Sequence, residues 1–199
     1  MGTSTMLDFL GSTIVFGVLL LTVGRVQVNL NSTLYYNTYN YMTQNYALEF
    51  CKTVEWEFNK IGWHVSGSKI DTADVNKIRF NFHYLNQAGT EQSATVTYWK
   101  GGLDATSRNP RDFVMWKKMN AGANQQQCPG LTDFRLAFLN NDLKAMTTPI
   151  TGSRTDSIHA ILVSFRVESF EPIIMADRTD YISIYWEKLI YPRNLGNLH

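Results

Sequence analysis

Between Phe9 and Val23 the chain carries no charged side chain and is dense in Leu and Val. A helix that is apolar on every side has no stable place on the surface of a water-soluble domain; it needs lipid or other helices around it. At ~1.5 Å per residue this run covers only ~22 Å, short of the ~30 Å hydrocarbon core. Continuing the helix to Leu30 supplies the missing length, with Arg25 snorkelling toward the head groups. Two competing readings are a cleaved secretory signal and the buried helix of a soluble protein. The signal reading is opposed by the residues ahead of the run, which lack a basic group and include Asp8. No small-x-small cleavage pattern follows either; the next residues are Arg25-Val26-Gln27-Val28-Asn29. A retained membrane or assembly helix is the expectation.

The helical pattern does not stop with the apolar run. No Pro or Gly interrupts the chain between Arg25 and Ile61. Tyr35, Tyr39, Met42, Tyr46, Phe50, Val54, Phe58 and Ile61 recur in steps of three and four, which puts them on one stripe. Asn37, Asn40, Gln44, Lys52 and Asn59 take the other face. Gly62 is the candidate left-handed cap. The spacing therefore predicts one helix of roughly 50 residues. It divides into a membrane or assembly half (1–30), an amphipathic half (31–62) and a head domain (63–199).

In the head the period changes to two. Lys77–Leu85 places Ile78, Phe80, Phe82 and Tyr84 on one face, and Ser93–Trp99 answers it across an Asn86–Thr90 turn, so the pair reads as a hairpin ended by Gly101-Gly102. Further strands are predicted over Asp133–Leu139, Ile158–Val167 and Tyr181–Ile190, while Asp104–Pro129 reads as an irregular excursion. No connection contains a long crossover helix, so the strands are expected to be antiparallel. The fold class is α+β: a long N-terminal helix packed on an antiparallel sheet of about four or five strands.

An apolar-then-amphipathic N-terminal helix followed by an antiparallel sheet resembles the type IV pilin and pseudopilin superfamily. The segment Ile158–Ser169 looks like the late strand of minor pilin-like proteins, and Tyr185–Leu195 is similar to their closing strand with its terminal Arg193-Asn194-Leu195. The family's processing site is a Gly followed by an aromatic residue or Met, with Glu at the fifth mature position. Here Gly2 precedes Thr3, Gly11 precedes Ser12, and the nearest carboxylate is Asp8. The chain thus reads as a diverged or unprocessed relative. The resemblance implies that Asp8 takes the role of the family's buried assembly carboxylate. Phe9, Phe16, Leu20, Val23 and Arg25 are the further candidates for the assembly helix.

Lys plus Arg total 18 and Asp plus Glu 17, giving a net charge of +1, which argues against a nucleic-acid partner. Tyr36, Tyr41 and Trp56 fall off the packing stripe, and large amphipathic rings on a second helix face suit a subunit interface. Cys51 and Cys128 are read either as a disulfide tying the helix to the 104–129 excursion or as two separate thiols. His64, His83, His159 and His199 are scattered without ligand spacing, so no metal and no cofactor is expected. Asp71-Thr72-Ala73-Asp74 reads as a turn or helix cap, and Lys117-Lys118 beside Trp116 as a solvated loop. No catalytic motif is present, and no pocket of convergent polar groups is legible. The expectation is not an enzyme but a structural subunit of a pilus-like or pseudopilus filament. It is expected as an inner-membrane anchor with an extracytoplasmic head, or in an extracellular filament. Its expected partners are copies of itself or other pilin-like subunits, with the membrane before assembly. The alternative is a single-pass accessory or scaffold subunit of a fixed membrane complex.

Overall fold

The computed structural model of the chain describes residues 2–174 and 179–195. One helix, α1, runs without a break over Gly2–Phe58, 57 residues. The small polar residues of its apolar stretch do not interrupt it, because their hydroxyls are satisfied by the helix itself. Ser12 donates to the Asp8 carbonyl at 2.8 Å, Thr13 to that of Phe9 at 2.8 Å, and Thr22 to that of Val18 at 2.8 Å. This back-bonding leaves each side chain little unsatisfied polarity to carry into an apolar medium.

The chain divides into two compact units, residues 1–41 and 42–199. Through the first unit the large apolar side chains are exposed around the whole helix, from Met6 and Phe9 to Leu34 and Tyr35. In the second unit α1 turns amphipathic in fact as well as in pattern. Thr43, Ala47, Phe50, Val54 and Phe58 are buried, and Ile61 continues the line past the helix end. The expected stripe is therefore buried only from about Tyr46 onward: Tyr35 stays 66% exposed, since the second unit begins only at Met42. After Phe58 the chain passes through turns to Gly62, whose φ of 76° is the left-handed conformation expected there. Its N–H donates to the Asn81 carbonyl at 2.9 Å, so the turn ties the helix exit to the sheet.

The strands of the head are β1 Ile70–Asp74, β2 Lys77–Leu85, β3 Glu91–Leu103, β4 Phe113–Met119, β5 Gln125–Gln127, β6 Leu131–Leu139, β7 Ile150–Thr151, β8 Ala160–Glu168, β9 Ile173–Ile174, β10 Thr179–Asp180 and β11 Ser183–Ile190. A 3-10 helix, Gly152–Ser157, follows β7. They form a six-stranded sheet in the order β5-β4-β3-β2-β1-β7, a three-stranded sheet β11-β8-β6 and a β9–β10 pair. Every strand pairing is antiparallel. The class is α+β, with its sheet divided in two. The helix packs against both parts. Phe50 meets Phe165 of β8 edge-on at 4.9 Å, and Phe58 meets Phe80 of β2 and Tyr98 of β3 at 5.7 and 5.9 Å. Such edge-to-face ring pairs add to the area that each ring buries.

Three local expectations are corrected. The Asp71–Asp74 segment is strand β1, not a turn or cap. A bulge between Ile70 and Thr72 puts Ile70 and Ala73 inward three residues apart, which breaks the alternation a strand normally displays. The 104–129 excursion contains two strands, β4 and β5, and Lys117 lies on β4 with only 15% of its side chain exposed rather than on a solvated loop. Finally, Gly101-Gly102 does not end β3; the strand continues to Leu103 through an irregularity in its pairing with β4.

Candidate functional site

The assembly-helix candidates all lie on α1 in the first unit. Phe9, Phe16, Leu20 and Val23 are each more than half exposed, and Asp8 and Arg25 are exposed as well. What this surface offers chemically is chiefly apolar area. The helix contains a stretch long and apolar enough, by length and composition, to cross a membrane. Of the interface candidates, Tyr36 and Tyr41 are open in the first unit, at 43% and 66% exposure. Trp56, in the second unit, is 62% exposed, but the Lys60 ammonium sits 2.8 Å from the centre of its ring. That cation–π contact uses one ring face within the helix terminus itself.

Both cysteines are free thiols. Cys51 donates to Glu55 Oε1 at 3.3 Å and is half-buried, while Cys128 is buried with its sulfur 3.7 Å from the Tyr46 carbonyl oxygen. The two thiols therefore address different turns of the helix. Burial, seconded by the Glu55 carboxylate, raises the Cys51 pKa to about 11, and burial raises that of Cys128 further. Neither is a thiolate near neutral pH, so neither is poised for nucleophilic or redox work.

Two buried polar networks occupy the head, and the sequence pattern signals neither. In the first, Glu57 at the end of α1 accepts from Lys117 of β4 on one oxygen and from the Tyr98 hydroxyl of β3 on the other. Tyr98 is held protonated, first by burial and then by the Glu57 charge. In the second, Glu168 at the end of β8 accepts from Arg111 at 2.8 Å and from Asn109 at 3.0 Å. Beside it Asp112 takes a hydrogen bond from Ser107 on one oxygen; its other oxygen has no partner among the described residues. Burial raises the Asp112 pKa to about 6; the Ser107 hydroxyl opposes this, while Asp104 and Glu168 add to it.

The raised Asp112 pKa has a testable consequence. The folded state holds the proton more tightly than the unfolded chain, so this group's contribution falls as pH rises from about 4 to about 6. Asp112→Asn is expected to flatten that loss and to gain about 2 kcal/mol over the wild type at pH 7 relative to pH 4. Denaturant titrations at the two pH values measure it; equal differences at both would contradict the assignment.

The head also contains a cleft of about 990 Å³, which the sequence pattern does not announce. Ser66–Lys69, Asp71, the 3-10 helix and His159 line it. Some of its polar side chains are committed. Ser68 donates to the Ile70 carbonyl, Thr155 to that of Gly152, and Asp71 accepts from Arg79 and Asn81. Among the residues lining the cleft, His159 contributes a buried atom, Nδ1, without a partner among the described residues. Elsewhere, His64 and His83 share the Glu91 carboxylate at 2.8 and 3.4 Å, and His199 lies outside the described residues. Among the described residues no group of three or more His, Cys, Asp or Glu converges on a metal position.

These features define an α+β protein whose long N-terminal helix is apolar and uncovered in its first part and packed on antiparallel strands in its last, a pilin-like architecture. No protein family, curated protein or solved structure matches the chain.

Proposed function

We propose that the chain is a structural subunit of the type IV pilin and pseudopilin kind. Its N-terminal helix anchors it in a membrane before assembly and forms the shared core of a filament afterwards, with the head presented outside the cytoplasm. One observation carries this reading: the first unit is a helix whose large apolar side chains are exposed all round. Lipid and other copies of the same helix satisfy such a surface equally, which is what a subunit moving between the two requires.

The test is negative-stain imaging of sheared surface material together with detergent extraction of membranes. Leu20→Asp and Val23→Asp place a carboxylate in the apolar stretch and are expected to abolish polymer while leaving the head folded by circular dichroism. Recovery of the chain only in detergent extracts, at a fixed ratio to other proteins, would overturn the filament reading in favour of an accessory membrane subunit.

A further inference from the structure

Asp8 and Arg25 are the only charged side chains ahead of Glu49. They bracket the apolar run, one acid and one base, and neither forms an ion pair among the described residues. They cannot meet within one chain: 17 residues of helix separate them by about 25 Å along the axis and about 100° around it. In a lipid bilayer each reaches a head-group region from its own end of the run. In a bundle of helices that escape is closed, and each charge needs an opposite one beside it.

Resting on the proposed assembly, we infer that Asp8 of one copy pairs with Arg25 of the next, so that neighbouring helices lie parallel and staggered by 17 residues. A parallel neighbour in register would instead set Asp8 level with Asp8 and Arg25 level with Arg25, leaving both uncompensated. The stagger has a second consequence that the charges do not require. It brings residues 9–24 of one copy level with residues 26–41 of its neighbour. That second stretch includes Val26, Val28, Leu30, Leu34, Tyr35, Tyr36 and Tyr41, all exposed, and it ends where the first compact unit ends, at Tyr41. The apolar run of one copy thus has the right length to cover the uncovered helix of the next. The two meeting surfaces differ, so the contact does not close on itself and propagates as a polymer.

The experiment uses the full chain in its membrane, comparing Asp8→Arg, Arg25→Asp and the double exchange. Each single variant is expected to lower the polymerised fraction about tenfold, and the exchange to restore it to within about threefold of wild type. Singles that polymerise like wild type, or an exchange that fails to rescue, would overturn the pairing while leaving the filament reading intact. A wild type that forms no multimer at all would remove both. Register is read separately by oxidising the Ser12→Cys/Asn29→Cys double variant, whose cysteines lie one turn on from Asp8 and Arg25 at the same spacing and leave both charges in place. A ladder extending beyond dimers, absent from wild type and from either single cysteine variant, is the expected result. Dimers alone would mean a closed antiparallel pair and would overturn the stagger.

Discussion

Glu57→Ala is expected to destabilise the head by about 4 kcal/mol, among the largest effects of any single side-chain truncation in the chain. Glu57 is buried, and so are its two donors: Tyr98 entirely, Lys117 for all but 15% of its side chain. Removing the carboxylate leaves an ammonium and a phenol together without an acceptor, beside the buried ring of Phe58. Desolvated groups without partners cost more than the pair contributes when intact. Lys117→Met alone leaves Glu57 with its Tyr98 bond and is expected to cost about 3 kcal/mol. Combining Glu57→Ala with Lys117→Met removes both charges and is expected to cost less than the sum of the singles by at least about 2 kcal/mol. Guanidinium denaturation of the four proteins closes the cycle. Additive costs would mean that the pair does not act as a unit in the folded head.

The same triad explains where the sequence was legible and where it was not. The β2–β3 hairpin is transparent because Ile78, Phe80 and Phe82 all face the core and their alternates all face away. On β4 the same alternation exists, Phe113, Met115, Lys117, Met119, but its third member is a cation. A lysine at an inward position reads as solvent-facing unless its partner is known, and Glu57 lies far away in sequence on the helix. Local pattern carries no trace of a long-range charge pair, so the strand was hidden by the residue that anchors it. The helix shows the converse. Its stripe from Tyr35 to Ile61 is continuous in sequence, yet only the part from about Tyr46 is packed on the strands. Periodicity states which face is apolar; what covers that face is decided by the other elements. The uncovered apolar half of the helix was legible because an all-round apolar surface needs composition alone, whereas the cleft beside the 3-10 helix is assembled from four separate segments.

Gly130→Ala is expected to cost more than about 3 kcal/mol, for reasons of backbone rather than side chain. Gly130 immediately precedes β6 with φ at 78°, and a Cβ built there would stand 2.4 Å from the carbonyl oxygen of Glu168. That oxygen belongs to main chain at the end of β8, and it cannot swing aside as a flexible side chain would. The same two residues are joined by a hydrogen bond from the Glu168 N–H to the Gly130 carbonyl at 2.7 Å. Pushing them apart therefore breaks the β6–β8 pairing where it begins. It also shifts the carboxylate that holds Asn109 and Arg111. Gly89→Ala separates the two contributions. Gly89 has nearly the same φ, 73°, but nothing within 4 Å of its Cβ position, so it pays only the left-handed backbone term of about 1 kcal/mol. The difference between the two variants in denaturant midpoint isolates the close approach of the strands at Gly130. Equal losses would show that φ alone governs both sites, and the Gly130–Glu168 contact would then carry no structural role.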